Sequence, residues 1–225
     1  MNSADECASL PFYQCHIFDL DHTLIAQNTS FAYLNFLCQR EILPKKSLFA
    51  AWLSFYKFKA RSCSLKQIHE ELFSMVLKGV SINELESCAD KFLDETLWDS
   101  IYPPAFSEFR LQQHLGANVA LMSSSPSFLV ERISKRLGAD HWEATEYQTD
   151  SYGCLQSVRR FLDGASKASE VFKLANKKGL QLDQCMTYSD SFYDLPFLLA
   201  SGKAVAVNPD KKLRFFALKN QWEIL

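Results

Sequence analysis

Four short apolar runs, each bounded by polar or turn-forming residues, are the clearest pattern along the chain. Runs of this length with such boundaries are typical of buried β-strands. The predicted strands are residues 15–20, 118–124, 184–190 and 203–208. We therefore expect these strands to be buried.

Amphipathic helical patterns separate the later strands. The apolar residues from Phe128 to Leu137 fall on one face of a helix, and Gly138 follows them as a stop signal. A second pattern of this kind, SKASEVFKLANKKGL, stops at Gly179. The alternation of strand and helix predicts the α/β class, with a Rossmann-like parallel sheet and helices on both of its faces.

Residues 29–102 break this alternation, because they contain several consecutive amphipathic patterns and no convincing strand. This predicts an inserted, all-helical cap. Pro103 and Pro104 mark the return of the chain to the core. The expected division is an α/β core of residues 1–28 and 103–225 around a cap of residues 29–102.

The composition is that of a globular protein, with 225 residues, 48% hydrophobic and 22% charged. A net charge of −2 argues against broad electrostatic binding to nucleic acid. The seven cysteines are scattered without a C-x-x-C pair, which favours reduced thiols in the cytoplasm. No N-terminal signal is recognisable. No apolar run approaches the roughly 20 residues of a transmembrane segment, so we expect no transmembrane segment.

Two carboxylates, Asp19 and Asp21, follow the first predicted strand in the stretch FDLDHTL. Ligands bind beyond the carboxyl ends of strands in open parallel sheets. Two neighbouring carboxylates repel each other unless a cation lies close, so the pair suggests a hard metal ion such as Mg²⁺. A solvated acidic pair without a function explains the pattern equally well.

Three further stretches place polar groups after the other strands or at a helix start. Ser123, in LMSSSPSF, is suited to bind phosphate at a helix N-terminus or simply to cap that helix. Lys167 lies just inside a helix start, where the helix dipole disfavours a cation, although it could equally be a solvated lysine. Asp190 and Asp194 follow the third strand, and Asp194 could merely complement a helix dipole.

Taken in order, these stretches resemble the motifs of the haloacid dehalogenase superfamily of phosphatases. FDLDHTL is similar to its first motif, LMSSSPSF to the second, GASKASE to the third and YSDSFYDLP to the fourth. The helical insertion between the first and second motifs resembles the phosphoserine-phosphatase-like branch. The resemblance extends over the whole chain.

The resemblance implies a covalent mechanism. Asp19 would attack phosphorus and form an aspartyl-phosphate, while Asp21 would protonate the leaving oxygen and later accept a proton from water. Mg²⁺ would be held by Asp19, the main-chain carbonyl of Asp21, and Asp190.

The other motif residues would bind or support the phosphoryl group. Ser123 and Lys167 would contact its oxygen atoms, where negative charge spreads in the transition state. Thr23, Ser124 and Asp194 would support the site, with Asp194 orienting Lys167 or a metal-bound water.

Two features depart from phosphoserine phosphatases. Asn28 stands where those enzymes carry a glutamate that holds the substrate ammonium group, and Ser124 and Ser125 stand where they carry glycines. Phosphoserine is therefore not the expected substrate.

The predicted cap carries an excess of basic residues, since residues 40–66 contain seven cationic side chains and one acid, Glu41. Our first interpretation is an amphipathic helix with Phe49, Trp52 and Phe55 in the cap core and the lysines in water. The alternative is a surface that makes weak contact with anionic lipid headgroups.

The sequence thus predicts a cytoplasmic, Mg²⁺-dependent phosphomonoesterase for a small or amphiphilic phosphate ester. Transfer of the phosphoryl group to an alcohol acceptor, or phosphate binding without turnover, are the alternatives. The pattern does not indicate which ester is the substrate or which oligomer forms.

Overall fold

The computed structural model describes residues 13–59 and 64–225. A seven-stranded sheet with the order β4-β3-β2-β1-β5-β6-β7 forms its centre, and its neighbouring strands are parallel except for β3 and β4. The strands are β1 (Cys15–Phe18), β2 (Asn118–Pro126), β3 (His141–Thr149), β4 (Leu155–Arg160), β5 (Cys185–Ser189), β6 (Lys203–Ala206) and β7 (Glu223–Ile224).

Helices cover both faces of the sheet. The described helices are α1 (Thr29–Gln39), α2 (Lys46–Lys59), α3 (Leu65–Leu72), α4 (Ile82–Thr96), α5 (Pro103–His114), α6 (Ser127–Leu137), α7 (Gly164–Lys178), α8 (Leu195–Leu198) and α9 (Lys211–Lys219). Alternate residues of β1 point to opposite faces: Phe18 lies in one buried apolar cluster with residues of α5 and α6, and Ile17 lies in another with residues of α7 and α9. The predicted α/β class is confirmed.

All four predicted strands are present, with bounds that differ by a few residues. Strand β2 continues to Pro126, two residues beyond its predicted end, so α6 begins at Ser127 and Ser123 lies well inside the strand rather than at the helix start. Strands β3, β4 and β7 were not predicted.

Helices α1 to α4 lie between β1 and α5, and contacts join them to the core. The amide of Gly79 donates to the carbonyl of Leu155, the first residue of β4, at 2.7 Å. On α6, Arg132 and Arg136 form ion pairs with acidic residues of α4, and both bind Asp90 at 3.1 to 3.2 Å. Main-chain and side-chain contacts therefore hold the helical segment against the sheet layer.

The expected position of the α2 aromatics is wrong. Phe49 and Trp52 are exposed to solvent rather than buried in a core of the helical segment, and the side chain of Phe55 lies outside the described residues. Small residues occupy the inner face of α2 instead, where Ala51 and Ser54 are buried. Periodicity alone shows that a helix has an apolar face but not whether anything covers it.

Within the described part of the chain, no helix is both long and apolar enough to cross a bilayer. The described cysteines are free thiols, namely Cys15, Cys38, Cys88, Cys154 and Cys185. Cys7 and Cys63 lie outside the described residues.

Candidate active site

The candidate site lies where the strand order changes direction. From β1 the chain reaches β2 on one side of the sheet, and β5 pairs with β1 on the other side. Asp19 follows β1 directly, Asp190 follows β5, and Ser123 lies in β2. Carboxyl ends of neighbouring parallel strands meet at one edge of a sheet, where ligands bind in folds of this type.

A buried lysine links two of the predicted acidic residues. Lys167 Nζ lies 2.6 Å from Asp19 Oδ1 and 2.7 Å from Asp194 Oδ2. The lysine is only 2% exposed, and both carboxylates are buried with it. Burial alone would lower the pKa of Lys167, but the charges of Asp19 and Asp194 raise it above its ordinary value. The lysine is therefore a permanent cation in this site.

Local structure explains how Lys167 reaches this position. The side chain of Asp163 caps α7 by accepting from the amide of Ser166 at 2.9 Å, which fixes the first turn where Lys167 lies. Gly164 allows that turn to touch the segment around Asp194, since a Cβ atom there would collide with the carbonyl oxygen of Tyr193. The close approach of the two segments therefore requires glycine.

Hydroxyl groups complete the contacts of the buried carboxylates. Thr23 Oγ1 donates to Asp19 Oδ2 at 3.3 Å, and Ser189 Oγ donates to Asp194 Oδ2 at 2.8 Å. These bonds fix the orientation of the carboxyl groups next to Lys167. The sequence motifs include Thr23 but give no indication of Ser189.

Asp21, two residues after Asp19, has hydrogen-bond partners of its own. Its Oδ1 accepts from the amide of Thr29 at 2.7 Å, and its Oδ2 accepts from Ser125 Oγ at 2.6 Å. Ser125 Oγ also lies 2.7 Å from Ser30 Oγ at the start of α1. Ser125 and Ser30 were not predicted as site residues, yet they connect the Asp21 carboxyl group with the helical segment.

The three consecutive serines of β2 face different surroundings. Ser123 is buried, and its Oγ accepts from the amide of Ser125 at 3.1 Å. Ser124 Oγ donates to the carbonyl of Leu162 at 2.7 Å, whereas Ser125 binds Asp21. The hydroxyl of Ser124 is thus committed to the main chain rather than to the acidic cluster.

The carboxyl groups of Asp19 and Asp190 are suited to hold a cation. Burial raises the pKa of Asp19 to about 7 and that of Asp190 to about 8, and nearby carboxylates add to both shifts. A cation beside the two groups would favour their ionised forms. No group of three Asp, Glu, His or Cys side chains suited to a metal occurs in the described residues. Mg²⁺ fits this set, because it commonly binds one or two carboxylates and keeps several waters.

Comparisons with known proteins agree with this arrangement. The model of the haloacid dehalogenase-like hydrolase family matches residues 17–199. The inhibition of morphological differentiation protein of Streptomyces azureus is 29% identical over 211 residues, which cover 92% of this chain and 76% of that protein. A phosphoserine phosphatase of Mycobacterium tuberculosis is 29% identical over 212 residues, covering 92% and 68% of the two chains.

A crystal structure of a Bordetella pertussis protein of unknown function has the same fold. It superposes with a TM-score of 0.83 at 23% identity and covers 95% of this chain and 98% of its own. The family match begins within β1 and includes the acidic residues that follow it, Lys167 and the later acidic pair. The chain therefore belongs to the haloacid dehalogenase-like hydrolase family, and it is similar to phosphoserine phosphatases within that family.

Proposed function

We propose that the protein is a Mg²⁺-dependent phosphomonoesterase that acts through an aspartyl-phosphate on Asp19. The observation that carries this proposal is the fixed position of the Asp19 carboxylate. Lys167 holds one of its oxygens at 2.6 Å, and Thr23 donates to the other at 3.3 Å. A nucleophile held rigidly at the mouth of a strand is pre-organised for in-line attack.

In the first step, an oxygen of Asp19 forms a bond to phosphorus while the bond from phosphorus to the ester oxygen breaks. Asp21 donates its proton to the departing alcohol. In the second step, Asp21 takes a proton from water, and the resulting hydroxide attacks the phosphorus of the aspartyl-phosphate. Inorganic phosphate leaves, and the Asp19 carboxylate and protonated Asp21 are restored.

Lys167 and Ser123 bind the phosphoryl oxygens in this proposal, and Asp194 holds Lys167 in place through the 2.7 Å ion pair. The lysine is desolvated before substrate arrives, so its charge interacts strongly with the negative charge that develops on these oxygens. We assign Ser124 a supporting role in the main chain, because its hydroxyl binds the carbonyl of Leu162.

The metal ligands in this proposal are Asp19, Asp190 and the main-chain carbonyl of Asp21. Bound Mg²⁺ supplies positive charge that reduces the repulsion between the anionic nucleophile and the anionic phosphate. The pKa values of Asp19 and Asp190 support this assignment, since burial and neighbouring carboxylates keep both raised although Lys167 lowers them, and a further cation would favour the ionised forms.

The proposed substrate is a small or amphiphilic phosphate ester, and the proposed location is the cytoplasm. The free thiols of the described cysteines favour a reducing compartment. In this proposal the core residues contact only the phosphoryl group and the metal, so selectivity comes from the part of the helical segment that reaches the site, at the start of α1.

The first test is hydrolysis of p-nitrophenyl phosphate by the wild type and by Asp19→Asn. We expect the variant to have only background activity, because an amide cannot form the aspartyl-phosphate. Lys167 keeps Asp194 as a partner in this variant, so thermal unfolding on the same preparation should change little.

The metal arm of the test uses the wild type with EDTA, followed by Mg²⁺ or Ca²⁺. Activity should disappear with EDTA and return with Mg²⁺ but hardly with Ca²⁺, which prefers a larger and less regular ligand shell. Turnover by folded Asp19→Asn would contradict the covalent mechanism. Product analysis with an added alcohol distinguishes hydrolysis from phosphoryl transfer.

A further inference from the structure

Helix α2 has an exposed face of large apolar side chains. Phe49, Trp52, Leu53 and Tyr56 are 66%, 59%, 40% and 62% exposed. Their spacing of three, four and seven residues places them on one side of the helix. Large exposed apolar patches on a protein surface mark interaction sites more often than chance.

The opposite side of this helix holds it in place. Ser47, Ala51 and Ser54 are buried, and small side chains of this kind allow close packing against the neighbouring helices α1 and α3. On the outer side the rings of Trp52 and Tyr56 are stacked, with centroids 6.2 Å apart and planes at 18°. The aromatic side chains therefore form a supported platform rather than isolated exposed residues.

Cationic side chains flank this platform. Lys45 and Lys46 are exposed at the N-terminus of α2, whose first turn contains no acidic residue. Cations at this end of a helix are unfavourable for the helix dipole, so helix stability does not account for them. Lys57 lies beside the platform and binds Glu71 at 2.5 Å. The sequence from residue 40 to residue 59 contains one acid, Glu41.

We propose that this face of α2 docks on the surface of a bilayer that contains anionic lipids. The aromatic residues would enter the interface between headgroups and acyl chains, where Trp and Tyr are favoured. Lys45 and Lys46 would contact lipid phosphates. The helix has 14 residues and is about 21 Å long at 1.5 Å per residue. This length suits a helix that lies in the interface and is too short for one that crosses the bilayer.

Charge favours lipid over a second copy of this chain as the occupant. If two α2 helices packed face to face in parallel, Lys45 and Lys46 of both copies would lie close together. In the antiparallel arrangement the same lysines would approach the C-terminal end of the other copy's α2, where Lys57 already binds Glu71. The parallel arrangement places like charges at a desolvated contact, and an anionic bilayer supplies the opposite charge for Lys45 and Lys46 directly. This proposal goes beyond the phosphatase activity and does not depend on it.

The test is sedimentation of the full chain with vesicles of phosphatidylcholine alone or with phosphatidylglycerol added. We expect binding to the anionic vesicles and much weaker binding to the zwitterionic ones. Lys45→Gln with Lys46→Gln should weaken binding by about fivefold for each lysine. Removing the apolar contact with Phe49→Ser and Trp52→Ser should abolish binding. Neither pair removes a buried side chain or a residue assigned to catalysis, so phosphatase activity in solution should be unchanged.

Matched controls distinguish binding through this face of α2 from nonspecific binding to vesicles. Lys177→Gln with Lys178→Gln makes the same charge change in the last turn of α7, and Tyr152→Ser removes an exposed aromatic side chain at the turn between β3 and β4. Both controls should bind like the wild type. Equal binding to both kinds of vesicle, or unchanged binding of the α2 variants, would overturn the proposal. So would a concentration-dependent dimer that the serine variants dissociate without any vesicle binding.

Discussion

At the scale of single residues, Ser125 is the least expected feature of the site. It donates to Asp21 at 2.6 Å and lies 2.7 Å from Ser30, so it holds the proposed general acid against the first turn of α1. A residue that orients a general acid acts mainly on the departure of poor leaving groups, because good ones leave without protonation. Ser125 is therefore a positioning residue in our proposal.

Ser125→Ala should lower kcat/KM for ethyl phosphate by roughly tenfold to hundredfold, part of the 10²–10⁴ that general acid catalysis contributes. The value for p-nitrophenyl phosphate should fall much less. Ser125→Thr retains the hydroxyl group and should restore most of the activity on ethyl phosphate. Equal losses on the two esters would show that Ser125 only maintains structure.

Asn28 leads to a prediction about selectivity. Its Oδ1 accepts from the amide of Phe31 at 2.9 Å and caps α1, so an amide at this position has a structural role and brings no negative charge. A substrate ammonium group near Asn28 would therefore receive no counter-charge from this side chain. We expect kcat/KM for phosphoserine to be lower than for 3-phosphooxypropionate, which is the same molecule without its ammonium group.

The matched variants for this comparison are Asn28→Glu and Asn28→Asp. Both add a carboxylate, and aspartate also keeps the helix cap. Asn28→Glu should modestly raise kcat/KM for phosphoserine relative to that for its deaminated analogue. If the wild type already prefers phosphoserine, another acid supplies the charge, and the correspondence between Asn28 and the glutamate of phosphoserine phosphatases is wrong.

At the scale of helices and strands, burial decides which elements could be predicted. The central strands are buried and mostly apolar, which made them predictable, whereas β3 (HWEATEYQT) and β4 (LQSVRR) carry charged residues on partly exposed faces. Strand β7 has only two residues, too few for any pattern. Tertiary pairing rather than local sequence defines these strands.

The same reasoning explains the part of the site that was missed. The predicted strand ended at Ser124 with a helix directly after it, but β2 continues through all three serines to Pro126. The register between β2 and β3 shifts between Ser123 and Pro126, so a regular alternation of side chains does not predict the separate partners of the three hydroxyl groups. The motifs that identify Asp19 and Lys167 do not depend on this alternation, and both residues were recognised from sequence.

Gly164 leads to a prediction at this scale. A methyl group in Gly164→Ala would collide with the carbonyl of Tyr193 and lie 3.1 Å from the Cα of Asp194. We expect a loss of about 1–3 kcal/mol of stability from overpacking. Because Asp194 would move away from Lys167, kcat/KM should also fall by up to about a hundredfold.

Gly202→Ala is the matched control, since its Cβ would collide with the main chain of Asp183 just before β5, at the opposite end of that strand from Asp190. It should lower the thermal midpoint to a similar extent while the folded protein keeps most of its activity. Similar losses of activity in both variants, measured well below their midpoints, would contradict a specific role for the approach of α7 to Asp194.

At the scale of the whole molecule, His69 joins α3 to the sheet. Its Nε2 lies 2.8 Å from the hydroxyl of Tyr147 in β3, and burial lowers its pKa from 6.5 to about 4. Between pH 4 and pH 6.5, His69 is therefore protonated in the unfolded chain and neutral in the folded protein. The contribution of neutral His69 to the free energy of unfolding is fully present above pH 6.5 and is lost as the pH falls towards 4.

The measurement is the difference in thermal midpoint between the wild type and His69→Gln from pH 4.5 to pH 8. Other buried groups titrate in this range, but they contribute to both proteins and cancel in the difference. The advantage of the wild type should shrink as the pH falls below 6.5. His114→Gln, at an exposed position of α5, serves as the control. A difference independent of pH would mean that His69 is not excluded from protonation by the fold.

The main-chain contact of the helical segment with Leu155 has a consequence for solubility. Strand β4 is an edge of the sheet, and edge strands expose unpaired amide and carbonyl groups that can pair with other molecules. Gly79 donates to the carbonyl of Leu155, and the amide of Leu155 donates to Val80 at 2.9 Å. The helical segment between β1 and α5 therefore pairs with the start of this edge. A core cut free of residues 29–102 would thus expose a strand edge prone to aggregation.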